Sequence, residues 1–347
     1  MKTPYTASLL LATALYTTTS LAVDPVSPGP DGDVSLKLEI ERAIAKGSAF
    51  LTGQQNQETG AWSDPTLPAL SALAISSILG DPEINPEAPL PAAAEKGYEF
   101  LLSNVKSDGG IYGKGLATYN TSLSIMALVM SGKKEHLPVI AKARRLLINQ
   151  QQDFDRRGET DNLFDGGVGY GGSYAHSDLS NTRFALEALY YSKKALSDTE
   201  YAENDFDLDF EAAIDFISAC QNTEATMSRL GEWATLREED EGGFVYFPGN
   251  TKSDTLKIET DEGERTALRS YGSISYAGLL AFIYADMEPD DPRIAMVMGW
   301  LRNNFTLEEN PGMDAQGLYY YYHTMSKALS ITGTQKLVTD ENVEIDW

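Results

Sequence analysis

Five times along its 347 residues this chain runs in the same order: an amphipathic segment, a Gly-rich turn, then a more apolar segment rich in Ala, Leu and Ser. The pairs are Ala43 to Gln55 with Leu67 to Leu79, Ala92 to Asn104 with Thr118 to Ser131, Ile140 to Gln151 with Asp178 to Lys194, Phe210 to Gln221 with Tyr271 to Ala285, and Arg293 to Asn304 with Leu318 to Ile331. A unit that recurs in this way cannot bury its apolar face alone and must stack on its neighbours. The leading segments set apolar residues at helical spacing against charges, as Leu146, Leu147 and Ile148 stand beside Lys142, Arg144 and Arg145. Each is therefore a helix with one wet face. The trailing segments, such as 273–282, carry few charges on any face and predict helices buried among neighbours. An outer ring of half-exposed helices around an inner ring of buried ones satisfies both patterns.

The chain opens on a targeting signal. Lys2 supplies a positive start, Ala7 to Tyr16 an apolar stretch too short to cross a bilayer, and Ser20-Leu21-Ala22 a small-x-small cleavage site. Residues 1–22 are read as a signal peptide cut near Ala22, 23–40 as a flexible leader rich in Pro, Gly and Asp, and 41–347 as the folded domain. The expected location is periplasmic or extracellular. No later run is long and apolar enough to span a membrane. The balance of 51 acidic against 27 basic residues gives a net charge of −24, which repels nucleic acid and anionic lipid. Cys220 is the only cysteine and there are three histidines, so neither a disulfide nor a Cys- or His-rich metal cluster is expected.

The first turn carries a more specific pattern. Lys46-Gly47, Phe50-Leu51, Gln55, Gly60 and Trp62 follow a Lys/Arg-Gly, aromatic-aliphatic, Gln, Gly-x-Trp spacing. Gln55 at a helix end can bond loose carbonyls, Gly60 permits a tight turn, and Trp62 can stack on the next repeat. The second repeat keeps Lys96-Gly97, Phe100-Leu101 and Gly110-Ile111-Tyr112 with Val105 at the Gln position; the third keeps Gln151, the fourth Phe216-Ile217 and Gln221, the fifth Trp300-Leu301. Over about residues 40–333 the chain resembles the squalene–hopene cyclase and prenyltransferase β-subunit superfamily. That resemblance implies an all-α, single-domain α/α toroid of paired outer and inner helices, with five pairs visible here and a sixth missing.

The resemblance also directs attention to chemistry. Squalene–hopene cyclases protonate their substrate with an Asp-x-Asp-Asp motif opening an inner helix; here that helix begins Asp178-Leu179-Ser180-Asn181, with Ser180 at the proton donor's position. A serine hydroxyl cannot protonate an alkene. Asp178 is read either as a helix N-cap or as a catalytic or ligand-binding acid. Tyr322-His323-Thr324 is similar to the zinc-ligand element of prenyltransferase β subunits, but Arg269 and Tyr271 stand where its Asp and Cys ligands belong. No metal and no cofactor are expected. Candidate catalytic residues are Asp178, His176, His323 and Tyr271, and candidate ligand-binding residues are Tyr174, Asn181, Tyr276, Tyr319 and Tyr322. Tyr319 and His323, four apart on a helix, share a direction, which the whole run 319–323 cannot.

Two links between outer and inner helices are long, 152–177 and 222–270, and bring aromatics and carboxylates such as Asp165, Tyr170, Trp233, Asp240 and Tyr246 to one end of the inner helices. They suit a ligand as well as ordinary loop anchoring. Three functions follow as expectations: binding of an apolar or isoprenoid-like ligand in a central cavity; a non-catalytic module gripping a protein or glycan at its acidic rim; or a secreted carbohydrate-active enzyme with paired carboxylates.

Overall fold

A computed structural model describes residues 33–85, 88–172, 176–202 and 206–347; the signal segment 1–22, most of the leader and Tyr174 lie outside them. The chain is mostly helical. By its contacts it divides into two compact units, 1–103 and 104–347, where the sequence predicts one domain over 41–347.

The first unit holds α1 (Asp33–Gln54), α2 (Pro68–Leu79) and α3 (Ala92–Ser103). Helix α1 opens at Asp33, inside the stretch read as leader, so that helix begins earlier than the expected boundary near residue 41. Helix α2 has proline in its first turn, where a missing N–H costs nothing, and packs on α3.

The second unit runs α4 (Ala117–Met130), α5 (Leu137–Ile148), α6 (Leu179–Leu196), α7 (Phe210–Ala219) and α8 (Glu224–Leu230). It continues through short strands β1 (Ala234–Thr235), β2 (Thr255–Thr260) and β3 (Gly263–Leu268) to α9 (Gly272–Tyr284), α10 (Pro292–Asn303), α11 (Leu318–Ile331) and a two-stranded tail, β4 (Leu337–Val338) and β5 (Glu344–Ile345). Helices α4, α6, α9 and α11 pack in series, each on the next; α5 leans on α4 and α6, and α7 and α10 lean on α9. The apolar α9 is buried along nearly its whole length. In α5 the wet face carries Lys142 and Arg145, but Arg144 turns inward, donating to Leu189 O and Ser192 Oγ and pairing with Asp207.

The repeat is written in hydrogen bonds. Gln151 Nε2 donates to the carbonyls of Gly166 and Asp209, and Gln221 Nε2 to those of Gly242 and Arg293; each amide ties its own turn to the start of a later helix, α7 or α10. In the first unit Gln55 does the same with Gly60 and Ala93. Two residues beyond each turn glycine, an N–H donates to a hydroxyl on the helix that follows, α2, α4, α6 or α9: Trp62 to Ser71, Ile111 to Thr121, Val168 to Thr182 and Phe244 to Ser275. Val105 occupies the Gln position in a bridge to Ile111, matching Gln151 with Val168 and Gln221 with Phe244. Trp62 packs against Gly97 on α3.

The β2–β3 hairpin lies inside the second long link; its apolar alternation is confined to Leu256 and Ile258, too short a run to stand out as strand, and most of Thr255–Thr260 is solvent-exposed. No helix among the described residues is long and apolar enough to cross a membrane.

Candidate functional site

The two long links meet at the N-terminal end of α6. Leu179 N donates to Tyr246 O, the hydroxyls of Tyr170 and Tyr246 lie 2.8 Å apart, and Phe164 of one link packs on Phe247 of the other at 5.8 Å between ring centres. Asp178 sits at the focus. As N-cap of α6 its carboxylate accepts from Asn181 N at 2.9 Å and Asn181 Nδ2 at 2.7 Å, and also from the Tyr246 hydroxyl. Burial pushes the Asp178 carboxyl up, against the lowering effect of these donors and of the nearby Lys252 charge. Burial, then the negative charge of Asp178, drives the Tyr246 hydroxyl upward, so Tyr246 stays protonated. Tyr246 thus lies between two polar partners, Asp178 and the Tyr170 hydroxyl, and either tyrosine can donate in the tyrosine pair. The Lys252 ammonium lies 3.5 Å from the centre of the Tyr246 ring.

Of the two roles read for Asp178, the helix cap is the one seen in the hydrogen bonds. Asp178 is wholly buried and its oxygens are engaged, and Asn181 is the residue it caps, with Asn181 Oδ1 buried and without a hydrogen-bond partner among the described residues. His176 is a loop anchor: its ring packs 4.8 Å from Phe247 and 6.5 Å from Phe164, with Nδ1 3.2 Å from Ser177 O. Tyr276 is core, its ring 5.8 Å from Tyr321, because α9 is buried on every side. Tyr322 donates to Leu307 O, which ties down a loop. Tyr319 is 86% exposed, and His323 on the same face is also open to solvent. Tyr271 is buried at the start of α9; burial first, then the neighbouring Tyr320 and Asp178, raise its hydroxyl well above the ordinary value, so it is neutral.

A second cluster, absent from the sequence expectations apart from His323, lies further along the same helices. Tyr119 from α4 meets Phe184 from α6 edge-on at 5.2 Å, and Phe184 meets Tyr320 from α11 at 6.2 Å. Tyr119 and Tyr320 are half-buried and present ring surface; Phe184 lies between them. The Arg183 guanidinium stands 4.5 Å from the Phe184 ring centre and pairs with Glu187 at 3.1 Å. Glu187 also contacts Lys327 across from α11. Tyr320 has Ser180 as a polar neighbour.

His323 is reached by solvent, yet desolvation, then the charges of Lys327 and Arg183, hold its pKa down at about 4, with Glu187 opposing. The folded chain thus leaves His323 neutral where an unfolded chain, with a value near 6.5, takes up a proton. Stability therefore falls as pH drops from about 6.5 towards about 4. Urea midpoints measured across this range should decline in the wild type and flatten in His323→Gln.

No protein-family description matches this chain, and no curated protein matches it.

Proposed function

We propose that the chain is an exported α/α toroid related to the squalene–hopene cyclases and prenyltransferase β subunits, and that it binds an apolar, isoprenoid-like molecule on the inner faces of α4, α6 and α11 without cyclising it. The observation that carries this reading is the convergence of Tyr119, Phe184 and Tyr320 from three separate helices. Aromatic faces offer large apolar contact at small conformational cost. Binding rather than conversion is favoured because the one acid on the cyclase motif is consumed as a helix cap and the donor position is Ser180.

A protein- or glycan-binding module is the second reading, favoured by the exposed Trp233 and Tyr319 on an acidic surface. Glycoside chemistry has less support: Asp165, Asp178 and Asp240 are all buried and accept backbone N–H groups, so none stands free beside a cleft.

The test is ligand capture. The full-length protein is incubated with a lipid extract, repurified, and its retained small molecules are identified by mass spectrometry. Isoprenoids should be retained by the wild type and reduced at least about fivefold by Tyr320→Ala, given the apolar contact removed. Asp178→Ala should lower stability more than retention. Retention of nothing, or equal retention in Tyr320→Ala, would sink the reading.

A further inference from the structure

The inner wall carries more positive than negative charge on a chain whose total runs strongly the other way. Arg183 and Lys327 both turn to one carboxylate, Glu187, through its two different oxygens. His323 is neutral near pH 7 and adds nothing. Arg183 is 0% exposed, and among the described residues none of its three side-chain nitrogens makes a well-angled hydrogen bond; its contact with Glu187 is a charge pair alone. A guanidinium and an ammonium are forks of donors, and a single carboxylate cannot satisfy both. A dry guanidinium that shares its one carboxylate with a second cation is incompletely compensated, and a further anion would complete the match. The reachable end of the cluster is Lys327, whose side chain is 26% exposed, with His323 one turn away on α11. The apolar wall adjoins it directly, since Arg183 stacks on Phe184.

Resting on the reading above, we infer that the ligand is an apolar acid: its single carboxylate meets Lys327 Nζ, with Arg183 behind, and its hydrocarbon lies along Tyr119, Phe184 and Tyr320. One negative charge matches the one positive charge left over by Glu187, whereas a diphosphate brings more negative charge than the cluster can neutralise.

Calorimetric titration of the full chain at pH 7.5 with farnesoic acid, farnesol, farnesyl diphosphate and acetate separates the possibilities. The acid should bind at least about tenfold more tightly than the alcohol, the increment of one charge-assisted hydrogen bond. It should also bind no more weakly than the diphosphate, and acetate should bind far more weakly than any of them. Lys327→Gln should bring the acid-to-alcohol ratio towards unity, and Lys327→Arg should restore it; circular dichroism checks that both variants are folded. If Lys327→Gln does not fold, the wild-type ratio and Lys327→Arg decide. An acid no tighter than the alcohol, a ratio that survives Lys327→Gln, or a diphosphate that outbinds the acid overturns this inference and leaves apolar binding standing. Failure of both acid and alcohol to bind overturns the two together.

Discussion

Gly166→Ala should destabilise the protein by at least about 3 kcal/mol, one of the largest effects open to a single methyl group. Gly166 has φ +80, and an added Cβ would lie 2.0 Å from Ala212 O and 2.1 Å from its carbonyl carbon, on the backbone of α7. A flexible side chain could yield; a hydrogen-bonded helix cannot without shifting whole. That shift would also pull on Gln151, which holds the Gly166 carbonyl and the Asp209 carbonyl at the head of α7. Gly132 provides the control. Its φ is +63 but nothing lies within 4 Å of the added carbon, so Gly132→Ala carries only the left-handed penalty of about 1–2 kcal/mol. Urea denaturation of both variants isolates the packing component. Equal losses would mean that the turn does not rest on the helix.

Glu187→Ala should cost about 3–5 kcal/mol, because it strands Arg183 and Lys327 beside each other with no counter-charge. The effect comes from the charges left behind more than from the pair removed. Replacing Arg183 by Met together with Glu187 by Leu should therefore recover most of the loss. The same pair shapes the response to acid. The Glu187 carboxyl is held below its ordinary value by Arg183 and Lys327, which together outweigh the larger single effect of burial. Its stabilising contribution is complete above the unfolded value of 4.5 and is lost as pH falls through the lower folded value. Thermal unfolding from pH 7 down to pH 3 should show the wild type and Glu187→Ala converging towards the acid end.

The helical repeat is legible in the sequence because it is written locally. A Gln at a helix end, a glycine a few residues on and an Ala-rich segment beyond are one device repeated, and Gln55, Gln151 and Gln221 all perform it. Charge placement separates the half-exposed α5 from the buried α9, but it does not place Arg144, drawn in by a distant carboxylate on Asp207, or the exposed Phe50 of α1. The candidate site is largely illegible for the same reason that Arg144 leaves the wet face: the partners are remote in the chain. Lys327 and Glu187 are 140 positions apart, and nothing in either segment announces the other. Tyr119, Phe184 and Tyr320 are likewise ordinary aromatics until three helices bring them together. Tyr276 is a different case: an uncharged α9 implies burial all round, and that alone makes its tyrosine a core residue. The resemblance to cyclases points to the end of α6, where Asp178 caps the helix; the aromatic wall begins about a turn and a half further along it.

Photocrosslinking tests the ligand site most directly. The full chain would be irradiated with a diazirine-bearing farnesyl analogue and the labelled peptides mapped by mass spectrometry. Labels should concentrate on Tyr119, Phe184 and Tyr320 and be competed away by unlabelled farnesol. Labels scattered over the outer helices, or confined to Trp233 and Tyr319, would contradict that placement.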